Sequence, residues 1–313
     1  MVSTSSSIKD CGLVLDFSTN HTTRDIVDWA VSAEKDGYGY VFRGDHIASM
    51  EPESKVESPE CWVTLGAIAA STHRVKFGPL VTPIGFRNPA LLARMACTLH
   101  SYSSGRLILG LGAGWLKEEY IEHGMPFPPV KTRVNQLSEA LQIIRPLTMG
   151  KRIDFDGKYY SAHLEVYPKP HDGIIHLIGG GSQPQVIKKL LKYIDELNLF
   201  YTPVEGCLKL RDSINNIQIA SQSYMAPFII AENETELEKK MKWYRSFINF
   251  NGSTEKLRSL IYNQGIFYGL IEDFVQQINN RKENNTEKLY FQVLNPFDIA
   301  MKNLLTETLK SEF

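Results

Sequence analysis

The sequence predicts one α/β domain folded as a single (β/α)8, or TIM, barrel with a hairpin insertion after its fourth helix. Three observations support this prediction: apolar runs alternate with amphipathic helical patterns, the runs number eight, and no linker or repeat divides the 313 residues. Alternating strand and helix units form parallel sheets, and eight such units close into a barrel. The rival is an open, doubly wound sheet. The runs that we interpret as strands are Gly12–Phe17, Tyr38–Phe42, Val75–Val81, Leu107–Leu111, Ile174–Ile178, Leu197–Tyr201, Tyr224–Ala231 and Leu289–Leu294.

The helical segments show apolar residues spaced three and four positions apart, which is the core-facing pattern of an amphipathic helix. Ile26, Trp29, Ala30 and Ala33 follow this spacing, and it recurs within residues 92–99, 134–144 and 271–278.

Two stretches interrupt the alternation. Arg152–Ala162 contains an Asp-Gly pair between aromatic-rich runs, which predicts a β-hairpin, and Phe250–Gly269 is interpreted as irregular. We expect residues 1–10 to form a mobile tail and residues 11–313 to form the barrel.

Composition limits the classes of function. Hydrophobic residues make up 43% and charged residues 22%, and 34 basic against 35 acidic residues leave a formal charge of −1. This balance lacks the basic footprint of a nucleic-acid-binding protein. No apolar run is long enough to span a bilayer, the N-terminus does not resemble a secretory signal, and the four cysteines form no CxxC pair. We therefore expect a cytoplasmic protein with a small-molecule substrate, no metal site, and neither nucleic acid nor membrane as partner.

Polar and glycine residues concentrate after the predicted strands, at the end of a barrel where active sites lie. Asp45-His46 follows the second strand, and its imidazole could transfer a proton near neutral pH. The alternative is a turn in which Asp45 caps backbone amides. Gly179–Ser182 follows the fifth strand and could bind a phosphate, or could be a tight turn with Ser182 as the helix N-cap.

Glu118 and Glu119 follow the fourth strand and suggest acid–base chemistry. Adjacent residues on a helix do not face one site, so a charged first helical turn is the simpler interpretation.

An ordered set of motifs resembles the luciferase-like flavin and deazaflavin oxidoreductase superfamily, whose members are (β/α)8 barrels. The segments that carry the resemblance are Asp45-His46, Val75–Thr82, Arg87–Arg94, Ser104–Trp115, Glu119-Tyr120, Pro126–Pro129, Arg133, Glu139–Leu141 and Gly179–Gly181. The pattern looks most like members that use coenzyme F420, a 5-deazaflavin that carries hydride.

The resemblance implies that the cofactor ring lies over a bulge after the third strand, with a non-prolyl cis peptide at Leu80-Val81. Its phosphate would lie near Gly179–Ser182, and Asp45 and His46 would reach the ring edge as catalytic residues. The residues assigned to cofactor binding are Leu80, Val81, Thr82, Gly112, Ala113, Gly114, Gly179, Gly180, Gly181 and Ser182.

One departure concerns the substrate. In the sugar-phosphate dehydrogenases of this superfamily a catalytic glutamate follows the fourth strand, and here Trp115 occupies that position, although Glu118 or Glu119 could replace it. A sugar phosphate is therefore in doubt, and Trp115 and Phe86 are expected to form an apolar substrate wall.

Three functions that involve a cofactor remain open: F420-dependent hydride transfer, FMN-dependent monooxygenation with a flavin or F420 reductase as partner, and flavin binding without turnover. A fourth, hydrolysis by an unrelated barrel, has no paired catalytic carboxylates to support it. The resemblance also suggests a homodimer.

Overall fold

A computed structural model describes residues 7–16, 21–47, 59–214 and 221–313. The described strands are β1 Cys11–Leu15, β2 Tyr40–Arg43, β3 Lys76–Pro79, β4 Thr82–Pro83, β5 Ile108–Gly112, β6 Ile153–Asp156, β7 Ser161–Leu164, β8 His176–Gly180, β9 Glu196–Phe200, β10 Gln222–Ala231, β11 Phe267–Leu270 and β12 Lys288–Val293. The described helices are α1 Thr23–Asp36, α2 Cys61–Ser71, α3 Pro89–Tyr102, α4 Lys117–Glu122, α5 Val130–Leu147, α6 Pro184–Leu190, α7 Val204–Ser213, α8 Glu234–Phe247, α9 Thr254–Asn263, α10 Ile271–Glu283 and α11 Ile299–Glu312. Single 3-10 turns form at Ile8–Asp10 and Ile84–Phe86.

The main sheet is parallel and nearly closed, in the order β3-β2-β1-β12-β10-β9-β8-β5-β4, with β11 added to β10. Phe77 of β3 forms a parallel bridge with Leu107, just before β5, and this bridge joins the two sides of the barrel. Glycine permits the close approach: a Cβ on Gly78 would lie 1.8 Å from the carbonyl oxygen of Ile108. The predicted (β/α)8 barrel is therefore confirmed.

All eight predicted strands are present, with small differences at their ends. Phe17, at the end of the first predicted strand, and residues 1–6 of the predicted tail lie outside the described residues. The third predicted strand is divided, because β3 ends at Pro79 and the chain resumes pairing only at Thr82. The intervening Leu80-Val81 peptide bond is cis, as predicted. The hairpin insertion is also confirmed, since β6 and β7 pair antiparallel after α5.

The interpretation of Phe250–Gly269 as irregular is wrong. Within this stretch the chain forms α9, capped by the Ser253 side chain, and most of β11. Helix α9 buries Leu257 and Ile261 against α8 and the end of β10 in a small satellite core. The apolar spacing is sparse here, so the Asn and Gly residues concealed an element that tertiary packing stabilises.

Two cores hold the barrel. The interior is filled by side chains from six strands and the β3–β4 bulge, namely Val14, Tyr40, Phe42, Leu80, Ile108, Ile178, Met225 and Tyr290. The larger core lies between the sheet and the helices, and it includes the predicted stripe of Ile26, Trp29, Ala30 and Ala33. Within the described ranges, no helix combines the length and apolar character that crossing a membrane requires.

Candidate active site

The carboxyl end of β2 presents Asp45, which is 1% exposed and fully engaged by side chains. Its carboxylate accepts hydrogen bonds from Arg87 Nη1 and Nη2 (2.6 and 3.2 Å), Thr82 Oγ1 (2.7 Å) and Trp62 Nε1 (3.2 Å). Burial raises the pKa of Asp45, and the Arg87 guanidinium opposes this effect. These side-chain partners replace the backbone amides that the turn interpretation assigned to Asp45. The carboxylate ties β2 to β4 and positions the residue that follows it.

That residue, His46, forms a pair with a buried carboxylate. His46 Nδ1 lies 3.0 Å from Glu119 Oε1, and the same oxygen accepts the Ile47 N–H at 2.9 Å. The imidazole is 19% exposed and the carboxylate 2% exposed. Burial lowers the pKa of His46, but the Glu119 hydrogen bond and the negative charge of Asp16 outweigh it, so the pKa is raised overall. With Nδ1 donating to the carboxylate, Nε2 remains to accept a proton.

The two adjacent glutamates therefore differ in role. Glu118 is exposed, as a charged first turn predicts, whereas Glu119 is buried in α4 and oriented toward His46. Both glutamates lie in the first turn of α4, as the charged-turn interpretation predicts, but Glu119 is also buried and paired with His46. The argument that both glutamates cannot line one site is correct, since only Glu119 binds His46.

Val81, itself a predicted cofactor residue, lies against two others, Gly112 and Gly180. A Cβ on Gly112 would lie 2.7 Å from Val81 Cγ2, and a Cβ on Gly180 would lie 2.9 Å from Val81 Cγ1. The partly buried Val81 side chain thus rests on the backbone of β5 and β8, and a side chain at either of these two positions would displace it. The result is an apolar floor at the carboxyl end of the barrel, which suits the face of a planar ring.

The remaining predicted residues separate into three groups. Trp115 is 64% exposed, and its ring meets the His46 ring edge-on at 6.2 Å between centroids. Phe86 instead packs on Tyr120 and, with Ala113, lines a cavity of about 320 Å³ beside the mouth. Phe86 and Trp115 therefore do not form one wall.

The glycines on either side of Gly180, at the end of β8 and in the turn after it, face apolar side chains of α6 and the residues that follow α6. Gly179 faces Leu190 and Ile194, and Gly181 lies near Val186. Ser182 is exposed and is not the helix N-cap, since α6 starts at Pro184 with Gln183 as its N-cap.

A polar network at the mouth was missed by sequence reasoning. Arg43 Nη1 donates to Leu15 O at 2.9 Å and to Asp16 Oδ1 at 3.2 Å, and Gln292 Nε2 donates to Asp16 Oδ2 at 3.3 Å. Tyr201 donates its hydroxyl to Gln292 Oε1. These residues come from the ends of β1, β2, β9 and β12, so no local motif joins them; only their shared position after strands could have indicated them.

Several known proteins resemble this chain in sequence or in fold. The chain is 33% identical over 161 residues to an F420-dependent glucose-6-phosphate dehydrogenase of Amycolatopsis mediterranei, which covers 50% of this chain and 48% of that protein. The matched part thus spans about half the length of this curated relative.

Solved structures with the same fold include an F420-dependent secondary alcohol dehydrogenase in complex with an F420-acetone adduct (TM-score 0.78, 19% identity, 97% of both chains). A monooxygenase from Streptomyces bottropensis is also similar (TM-score 0.80, 15% identity, 97% of this chain and 98% of that one). At this identity the likeness shows the fold alone. A sequence model described as luciferase-like monooxygenase matches residues 12–297. The chain therefore belongs to the luciferase-like monooxygenase family.

Proposed function

We propose that this protein is an oxidoreductase that transfers a hydride between coenzyme F420 and a small organic substrate, with His46 as the group that moves the proton. The observation that carries the proposal is the pair of His46 with the buried Glu119, 3.0 Å apart at the carboxyl end of the barrel. A carboxylate on Nδ1 orients the imidazole and supports its protonation, which is the arrangement that general acid–base catalysis requires.

The residues at the mouth fit a tricyclic cofactor. Val81, seated on Gly112 and Gly180, would support one face of the ring, and Trp115 would limit access beside His46. When bound, the deazaflavin supplies a carbon that accepts or donates hydride. For an alcohol substrate, His46 Nε2 would take the hydroxyl proton in oxidation and return it in reduction. Asp45, held by Arg87, would keep His46 in place.

Relatives support F420 as the cofactor. The curated relatives that share 31–36% identity over half of this chain are named F420-dependent glucose-6-phosphate dehydrogenases. The sugar phosphate itself is not part of the proposal, because Trp115 stands where those enzymes are expected to carry a catalytic glutamate.

The alternative is an FMN-dependent monooxygenase that uses dioxygen and reduced flavin from a partner reductase. It is favoured by the description of the matching family and by the TM-score of 0.80 with a monooxygenase. The fold does not separate the two candidates, since the F420-dependent alcohol dehydrogenase has a TM-score of 0.78.

Substitution of His46 tests its role. We expect His46→Ala to lower turnover of F420 with a panel of small alcohols by about 100-fold or more, with little change in F420 affinity. Affinity is measured by cofactor fluorescence and turnover by the loss of F420 absorbance. His171→Ala, an exposed loop histidine, is the control. Equal turnover in wild type and His46→Ala would remove His46 from the mechanism.

A further inference from the structure

We propose that the cavity beside α5 is a binding subsite for an anionic group, a carboxylate or a phosphate, with Arg133 as its principal ligand. The cavity measures about 320 Å³, which is at the lower end of the range for small-ligand sites. It lies between the turn after β4, helix α4, helix α5 and the hairpin, and its lining includes Phe86, Arg87, Ala113, Tyr120, Arg133 and Gln136.

Arg133 is a buried cation whose hydrogen-bonding capacity is mostly unused. It is 8% exposed, its Nη1 donates to Pro128 O at 2.6 Å, and its guanidinium lies 3.9 Å from the centre of the Phe127 ring. Its Nε is buried without a hydrogen-bond partner. Across the described ranges, no aspartate or glutamate forms an ion pair with it. A buried charge in this state is costly unless a ligand compensates it.

Neutral donors lie around the same cavity. The Tyr120 hydroxyl has no hydrogen-bond partner, and the residue is only 1% exposed. It lies against Gly114, where a Cβ would come within 2.3 Å of the hydroxyl oxygen. Gln136 is one helical turn beyond Arg133 on α5 and also lines the cavity. These groups supply the hydrogen bonds that a carboxylate or phosphate oxygen needs.

The other charges near the cavity do not neutralise Arg133. Arg87 lines the wall, but its charge is already paired with Asp45 and Glu60. No acidic side chain is among the described lining residues. A cavity with one arginine that has no acidic partner, two uncommitted polar groups and no carboxylate selects for negative charge. Ala113 lines the cavity and directly follows β5, so the cavity adjoins the carboxyl end of the barrel.

The first test needs no redox cofactor, so its failure would leave the proposed function standing. Inorganic phosphate is titrated calorimetrically into the protein at constant ionic strength. We expect saturable binding that Arg133→Gln weakens by about tenfold or more, because a charge-assisted bond is lost. Lys131→Gln, which removes one exposed charge from the same helix, should leave binding unchanged.

A second variant guards against misfolding of Arg133→Gln, since Arg133 also holds Pro128. Gln136→Glu retains Arg133 and places a carboxylate in the cavity, and it should weaken phosphate binding to a similar extent. The proposal is overturned if phosphate does not bind, or if Gln136→Glu and Arg133→Gln bind it as tightly as the wild type.

Fluorescence titrations identify the source of the anionic group. F420 carries a phosphate and carboxylates on its tail, whereas the tail-less deazaflavin carries neither. If Arg133→Gln weakens binding of F420 but not of the tail-less compound, the subsite holds the cofactor tail. If both bind as in the wild type while phosphate binding is lost, it holds an anionic group of the substrate.

Discussion

Replacing Glu119 by Gln is expected to make protonation of His46 less favourable. The carboxylate lies 3.0 Å from His46 Nδ1 and is 2% exposed, so water screens the pair weakly. A hydrogen bond to a charged group contributes about 1.5–3 kcal/mol, and loss of the carboxylate removes this support from the imidazolium. The glutamine oxygen can still accept the Ile47 N–H, so the local fold should remain. The pKa of His46, which Glu119 helps to raise, should therefore fall.

The measurement is an NMR titration of the His46 ring proton, which needs neither substrate nor cofactor. We expect its midpoint to lie at lower pH in Glu119→Gln than in the wild type. Glu118→Gln changes the neighbouring exposed carboxylate and serves as the matched control, with a midpoint close to the wild type. An unchanged or higher midpoint in Glu119→Gln would show that the pair does not govern His46, and the acid–base role would lose its support.

Two further substitutions test the amino end of the barrel and the apolar floor of the site. Burial raises the pKa of Glu196, but the His176 hydrogen bond and Lys288 lower it to about 2, against an ordinary 4.5. Glu196→Gln should therefore lower the free energy of unfolding at pH 7, measured with urea, by about 3 kcal/mol. The wild type should lose this stabilisation as the pH falls below about 4.5, and the variant should not show that loss. Gly112→Ala should lower the free energy of unfolding by about 1–3 kcal/mol and weaken cofactor binding, because the new Cβ displaces Val81. Gly66→Ala is the control: the new Cβ meets open space, so this change should be neutral or stabilising.

Each of these two predictions has a result that would contradict it. A Glu196→Gln variant as stable as the wild type at pH 7 would mean that the buried ion pair contributes nothing net. A Gly112→Ala variant with normal stability and normal cofactor affinity would mean that neither property depends on the contact of Val81 with β5.

Much of the fold was predictable because its signals are local. Buried parallel strands are short continuous apolar runs, and the stripe from Ile26 to Ala33 is buried as the helical spacing requires. The cis bond at Leu80-Val81 followed from the family resemblance rather than from any local rule. Strand β11 was not predictable in this way, since it has only four residues, alternates in burial and pairs with β10 alone.

The candidate site was predictable only in part because its key contacts are long-range. Asp45 and His46 stand out as neighbours after a strand, but Arg87 and Glu119 lie 42 and 73 positions away from their partners. Glu119 and Glu118 look equivalent in the sequence, and only the burial of one face of α4 distinguishes them. Arg133 likewise resembles any helical arginine until the packing of Phe127 and Tyr120 shows that it is buried beside a cavity.

Cofactor titration distinguishes a barrel mouth that binds a deazaflavin for hydride transfer from one that binds flavin. Purified protein is titrated separately with F420 and with FMN, and binding is followed by cofactor fluorescence. We expect saturable binding of F420 with much weaker binding of FMN, and loss of F420 affinity in Gly112→Ala. Tight binding of FMN without binding of F420 would contradict the hydride-transfer proposal in favour of the monooxygenase, and binding of neither would contradict both.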